Sequence, residues 1–395
     1  MMHEFVDVSK AKELLKGLAI SPKSHIIPLS QAVGKFTSNP VFAPMNVPSF
    51  DNSGMDGYAF AWDDLGESRK LAQVVQAGVN PDFTLEKGTA VRIFTGAPVP
   101  RGADTVVQQE WVTVIGDTIF FELEKLVKGM HVRKAGSQCQ TGELILNSGT
   151  QVTPGTIGLL ASLGIEQVEV ISSPSLSIIL TGDEIIEIGQ ALQPGQIYNA
   201  NGPALIAYLN QMGIKEVKVL KVKDEKSEVT RVIGEALGAS DVVLLTGGIS
   251  VGDYDFVKGS LAENGVLQLF YKVKQKPGKP IFAGVKGEKM VFALPGNPAS
   301  VLTCFIQYVK PFLLRILGNP DAWTAPAYFP IASDFNKKAP LTFFLKAKLD
   351  NGRVIILPAQ ESFNLLSFGI ADGVVEIPQE LEHVEAGSLV AFYPW

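Results

Sequence analysis

Acidic side chains stand in polar, turn-forming text at Asp56, Asp183, Glu184, Asp253 and Asp255, where a carboxylate can hold a divalent cation directly or through water. A single loop aspartate more often caps a helix or forms a turn. Asp51-Asn52-Ser53-Gly54-Met55-Asp56-Gly57-Tyr58-Ala59 is harder to dismiss, because it packs many polar and turn-forming residues into one short stretch. The complementary charge sits elsewhere. Lys272, Lys274 and Lys276 alternate after Phe270 and Tyr271, and Lys279 follows Pro277-Gly278. On a strand the first three ammonium groups share one face. Lysines also guard sheet edges, but edge protection does not need the stiff Lys276-Pro277-Gly278-Lys279-Pro280 turn, which favours an anionic ligand.

Three further turns can bring backbone N–H groups to such a ligand: Thr181-Gly182-Asp183-Glu184, Thr246-Gly247-Gly248 and Pro295-Gly296-Asn297-Pro298. Glycine lets a ligand approach the main chain, and helix starts leave donors free. Glycine also serves turns that bind nothing; three such turns in one stretch of chain shift the balance toward a site.

The elements that position these turns are legible as alternating units. Leu176 to Leu180, Val217 to Val222, Asp241 to Leu245 and Met290 to Leu294 are short apolar runs that predict strands, the third buried on both faces. Helices are predicted from Asn201, as N-cap with Pro203 in the first turn, to Met212 before Gly213; from about Lys226 to Leu237; and from Ala299 to about Leu317. Strand, glycine turn and helix in repetition predict a doubly wound α/β domain with its ligand beyond the carboxyl ends of the strands. Upstream, Ser9 to Lys16 predicts a short amphipathic helix ending at Gly17, and five prolines from Pro22 to Pro48 predict extended chain. Residues 51 to 142 predict a compact β-rich insert with few helices. Past Pro320, the runs Leu341 to Leu349, Arg353 to Leu357, Gly373 to Ile377 and Ser388 to Tyr393 predict a small β-domain.

Composition narrows the function classes. At 395 residues and 46% hydrophobic the chain can bury more than one core. A net charge of −6 argues against general nucleic-acid binding, which needs a broad basic face. No run of about 18 uncharged apolar residues predicts a membrane span, and the acidic start is unlike a signal peptide, so a cytoplasmic protein without membrane association is expected. Cys139 and Cys304 lack metal-type spacing and the four histidines form no paired ligand pattern, so any metal must rely on oxygen ligands.

Asp51 to Ala59, Phe94-Thr95-Gly96-Ala97-Pro98-Val99-Pro100, Thr246 to Asp255, Lys276 to Pro280 and Leu294 to Pro298 resemble, in order, the signatures of molybdopterin molybdotransferases. Gln360-Glu361-Ser362 and Ala371-Asp372-Gly373 resemble the C-terminal signature of the same family, so the likeness covers nearly the whole chain. It implies a multidomain α/β plus β protein. The parts are a discontinuous helix and linker region (1–42 and 143–174), a β-rich insert (43–142), a doubly wound α/β molybdopterin-binding domain (175–320) and a C-terminal β-barrel (321–395). It implies a homodimer with its active site at the subunit interface, and a Mg²⁺-dependent reaction of adenylylated molybdopterin with molybdate that yields molybdenum cofactor and AMP. The molybdopterin adenylyltransferase and recipient molybdoenzymes are implied partners. By motif, the resemblance assigns catalysis to Asp56, Thr95 and Arg133 of one subunit and to Glu184, Lys272 and Lys276 of the other. It assigns cofactor binding to Thr181, Gly182, Gly247, Gly248, Ser250, Asp255, Lys279, Pro295, Gly296, Asn297, Pro298 and Ser362, and metal binding to Glu184, Asp224 and Asp255.

One departure stands out. Where the family usually has Gly-Glu-Asp, this chain has Gly136-Ser137-Gln138-Cys139. An amide oxygen accepts a hydrogen bond but brings no charge, so a metal contact there is weakened. The rival readings are a diverged paralogue acting as carrier or scaffold, as the gephyrin domain does in clustering receptors, and the adenylyltransferase of the preceding step. That enzyme resembles the α/β domain alone, and the Asp51 to Ala59 segment argues against it.

Overall fold

The computed structural model describes residues 3–64, 66, 68–249, 256–325 and 327–395. The chain forms two compact units, one from Met1–His25, Gly34–Phe36 and Val170–Trp395, the other from Ile26–Val33 and Thr37–Glu169.

The first unit is organised by a six-stranded sheet in the order Val217–Val222, Leu176–Thr181, Val242–Thr246, Lys289–Leu294, Phe282–Lys286, Leu267–Tyr271. The first four strands are parallel. Every residue of Leu176–Thr181 and Val242–Thr246 is buried, and alternate side chains feed opposite cores. Ile178, Leu180, Leu244 and Phe292 pack on one face with Leu205, Val301 and Phe305, while Ile179, Val243, Leu245 and Val291 meet Val232, Ile233 and Leu237 on the other. Sequence patterning did not show that the last two strands run antiparallel. Lys286 pairs with Lys289 across Gly287 (φ +58°), and so short a hairpin leaves no room for a crossover helix.

Helix Asn201–Gln211 begins one residue earlier than expected. Asn201 lies inside it, and Asn199 Oδ1 accepts from Gly202 N at 3.0 Å to do the capping. Gly213 (φ +78°) closes the helix as predicted. The long C-terminal helix runs as Pro298–Cys304, a π turn at Phe305–Val309, and Lys310–Ile316. Its length and hydropathy would suit a membrane span, but it is 72% buried inside the protein. Near the chain start, helix Val8–Lys16 is capped by Asp7 and buries Val8, Ala11 and Leu15, with Leu14 only partly covered.

Ala327–Pro330, Leu389–Pro394, Gly373–Ile377, Thr342–Asp350 and Arg353–Ile356 pair in that order, and an Ile331–Val354 bridge closes them into a small barrel. Leu345, Val354, Val375, Val390 and Phe392 fill it. In the second unit a six-stranded sheet carries the β-rich segment, ordered Thr105–Gln108, Gly57–Phe60, Thr89–Ile93, Ser68–Val75, Thr118–Phe121, Val112–Ile115. Between residues 43 and 142 the described helical turns are all short 3₁₀ pieces. Gly57 is demanded by packing, since a Cβ there would lie 1.8 Å from Val107 O.

Asp241 locks the starts of two central strands: its carboxylate accepts from Ser175 N at 2.9 Å, from Ser175 Oγ at 2.8 Å and from Lys23 Nζ at 3.0 Å. Burial alone would raise its pKa, but these donors outweigh it and hold the group below the ordinary aspartate value. Such a group adds stability above its unfolded pKa and loses it as pH falls through the folded one. Asp241→Ala should therefore lower unfolding free energy at neutral pH by no more than about 1 kcal/mol, the carboxylate being 39% exposed. Urea titrations should show the gap from wild type closing between about pH 5 and pH 3.

Candidate functional site

A crevice of about 970 Å³ opens at the carboxyl ends of the parallel strands of the first unit. Its floor is made by three strand ends in close contact. Thr181 Oγ1 donates to Thr246 O at 3.2 Å, and Gly247 N donates to Leu294 O at 3.2 Å. Gly247 has φ +89°, and a Cβ there would stand 2.6 Å from Thr181 Oγ1 and 3.1 Å from Thr181 O. Gly182 has φ +134°, and the Glu184 carboxylate lies so close that a Cβ would meet Oε2 at 2.9 Å. Conformation favours glycine at both points, and at Gly247 the space beside Thr181 excludes a side chain as well.

Asn201 Nδ2 donates to Gly296 O at 2.9 Å, tying the start of its helix to the Pro295-Gly296-Asn297-Pro298 turn. That bond explains why Asn201 is unavailable as a cap. Asn297 Nδ2 donates to Ser362 Oγ at 3.0 Å and Ala299 N to Ser362 O at 3.1 Å, bringing the C-terminal signature to the same rim. Thr181, Gly182, Glu184, Asp224, Gly247, Gly248, Lys276, Lys279, Pro295, Gly296, Asn297, Pro298 and Ser362 all line the crevice. Thr246 Oγ1 and Asn201 Oδ1, on two more of its lining residues, are buried without a partner. Ser250, Asp253 and Asp255 lie outside the described residues.

The lysine row is the main correction. Lys272, Lys274 and Lys276 do not share a strand face, because the strand ends at Tyr271 and Lys272 turns to φ +62°. The backbone then follows other partners: Lys272 N donates to Ile281 O and Lys274 N to Val6 O, and a new two-residue strand, Gln275–Lys276, pairs with Thr342–Phe343. Lys272 Nζ rests over the Tyr271 ring at 4.7 Å and does not line the crevice. Lys276 and Lys279 do, on a turn held from beneath by residues that sequence reasoning missed. Gln275 Nε2 donates to Pro277 O at 3.1 Å and Gly278 O at 3.2 Å, and Tyr308 Oη donates to Gln275 Oε1. Cys304 packs so closely that a Cβ on Gly278 would meet its Sγ at 2.5 Å, and burial pushes the thiol pKa up. A glutamine within a lysine row gives no hint of such a post.

The second unit carries its own acidic cluster. Asp56 Oδ1 accepts from Thr95 N at 2.8 Å and Thr95 Oγ1 at 2.7 Å. These bonds, with a smaller pull from Arg92, hold the exposed carboxylate below the ordinary range. Asp51 is engaged differently, by Lys134 Nζ at 2.7 Å and Ala135 N at 2.8 Å. Exposed Arg133 sits on the short strand Val132–Arg133, opposite Asn52. Ser137 and Gln138 are exposed, and Gln138 N donates to Val47 O at 2.9 Å.

Comparison with known proteins covers the chain from end to end. Residues 6–164 match the MoeA N-terminal region (domains I and II), 177–315 a probable molybdopterin binding domain, and 328–395 the MoeA C-terminal region (domain IV). A molybdopterin molybdenumtransferase of Haemophilus influenzae is 32% identical over 99% of this chain and 98% of its own length. Molybdopterin molybdenumtransferase 2 of Mycobacterium tuberculosis is 32% identical over 92% and 93%. A crystal structure of the molybdopterin biosynthesis MoeA protein from Pyrococcus horikoshii superposes with a TM-score of 0.85 at 32% identity, covering 99% of each chain.

Gly247→Ala should destabilise the first unit by about 1–3 kcal/mol, through strain at positive φ and the clash with Thr181. Thermal unfolding would register this as a fall of several degrees. An unchanged transition would show that the strand ends are not packed as described.

Proposed function

Since the chain belongs to the MoeA family of molybdopterin molybdenumtransferases and has a role in molybdenum cofactor biosynthesis, we propose that it transfers molybdenum from molybdate into adenylylated molybdopterin with release of AMP. The observation that carries this is the crevice, where two lysines, two carboxylates and three glycine-bearing turns converge. Both substrates are anions. Lys276 and Lys279 offset their charge, while N–H groups at Gly248 and in the Pro295–Pro298 turn orient phosphate oxygens. The orphaned Thr246 Oγ1 and Asn201 Oδ1 give the floor further hydrogen-bonding capacity.

Magnesium suits this donor set. Among the described residues no three His, Cys, Asp or Glu side chains form a ready-made cage, but Mg²⁺ commonly takes one or two carboxylates and completes its shell with water and substrate phosphate. In our proposal Glu184 and Asp224, which line the crevice, hold it together with Asp255. Bound there, it supplies charge neutralisation on the bridging phosphates. In this reading the anhydride is cleaved by positioning and charge neutralisation, without a covalent enzyme intermediate.

We further propose a cytoplasmic homodimer in which Asp56, Thr95 and Arg133 of one subunit complete the partner's crevice, with Lys272 adding positive charge near its edge. The molybdopterin adenylyltransferase supplies the adenylylated substrate, and molybdoenzymes receive the product. Asp56, oriented by its two hydrogen bonds from Thr95, then brings a fixed carboxylate to the bound metal or molybdate.

Purified protein given adenylylated molybdopterin, Mg²⁺ and molybdate should release AMP only when molybdate is present, and Asp56→Asn should slow this by about 100-fold or more. Tight pterin binding without AMP release would favour the carrier or scaffold reading instead. Because Gln138 stands where the family has a carboxylate, Gln138→Asp should lower the Mg²⁺ concentration needed for half-maximal release. An unchanged requirement would remove this position from the metal environment.

A further inference from the structure

The loop that brings Ser362 to the crevice is fixed far more firmly than its exposure suggests. Lys346, 2% exposed, donates from Nζ to the carbonyls of Ala359, Glu361 and Asn364. Gln360 returns the grip: its Oε1 accepts from Lys346 N at 3.0 Å and its Nε2 donates to Lys346 O at 2.9 Å. Ser362 is bonded to Asn297 and Ala299 on the far side. Phe363 therefore stands between two pinned neighbours. This residue lines the crevice and is 66% exposed. The pinned backbone keeps Phe363 at the rim, so its ring stays within reach of the crevice while it turns about its own side-chain bonds.

A planar heterocycle bound beside it would cover one face of the ring, and aromatic stacking tolerates different ring types because each has a π-face. We infer that Phe363 is a specificity-determining residue that stacks on a planar ring of the substrate, with Lys346 as the positioning residue that holds it there. The inference rests on the proposed reaction, whose substrate carries two such rings, the pterin and the adenine. Leu366 (78% exposed) and Ile370 (61% exposed) lie farther along the same segment and do not line the crevice, so they provide an internal control against a protein-docking face.

The test measures binding of molybdopterin and of AMP, separately, to the full chain and to Phe363→Ala, Phe363→Tyr and Leu366→Ser. Phe363→Ala should weaken one of the two ligands by about tenfold and leave the other unchanged, which identifies the stacked ring. Phe363→Tyr should retain wild-type binding, and Leu366→Ser should change neither ligand. In the AMP-release assay Phe363→Ala should raise KM with kcat nearly unchanged. Lys346→Met should reproduce the binding loss, and should add nothing in the Phe363→Ala background. Wild-type affinity of Phe363→Ala for both ligands overturns the inference while leaving the transferase reading intact. Equal losses in Leu366→Ser overturn it in favour of a docking face. A wild-type chain that binds neither ligand removes the proposed function and this inference with it.

Discussion

The crevice depends on how closely two strand ends approach each other. Thr181 and Gly247 end neighbouring parallel strands with so little space between them that even a methyl group would collide with the threonine hydroxyl and carbonyl. Parallel strands buried on both faces must end together and turn away at one edge of the sheet. Because no side chain intervenes at that edge, backbone and short polar groups become the floor of a site. The helix that follows the Pro295–Pro298 turn, the Asn201 bond to Gly296 and the Ser362 loop are all referenced to that floor.

Charge is organised locally within an acidic chain. Lys276 and Lys279 reach the crevice because a buried glutamine, tyrosine and cysteine hold the turn between them from below. The two aspartates of the Asp51–Ala59 segment show the same economy. Asp51 is neutralised by Lys134 and fastens a loop, whereas Asp56 receives only hydrogen-bond donors of one threonine and keeps its charge toward solvent. Residues of one type, five positions apart, are thus given different surroundings, one paired with a lysine and the other hydrogen-bonded to a threonine.

Much of this was legible in the sequence, for physical reasons that differ by element. The three inner parallel strands could be read because burial on both faces leaves an unbroken apolar run, and the turns at Gly182 and Gly247 because positive φ disfavours other residues. The lysine row misled, because alternation implies a shared face only while a strand continues, and long-range partners such as Val6 and Ile281 ended it at Tyr271. Asn201 was read as a cap because local chemistry favours that role; a bond to Gly296, far away in sequence, took it elsewhere. Gln275, Tyr308 and Lys346 were invisible for the same reason, since a polar residue supporting a distant loop carries no local pattern.

The π turn at Phe305–Val309 sets the phase of everything after it. Each residue of a regular helix advances its side chain by roughly 100°, so the widened turn decides that Phe312 and Leu313 face inward against the sheet. Removing a single residue between Pro298 and Lys310 could restore ideal helical geometry and improve every local hydrogen bond. It would also rotate the last two turns by that angle, moving Lys310 into the buried place of Val309 and Phe312 into the half-buried place of Pro311. Every residue from Ala299 to Val309 is buried, so the length of this helix is held by its packing as firmly as its composition.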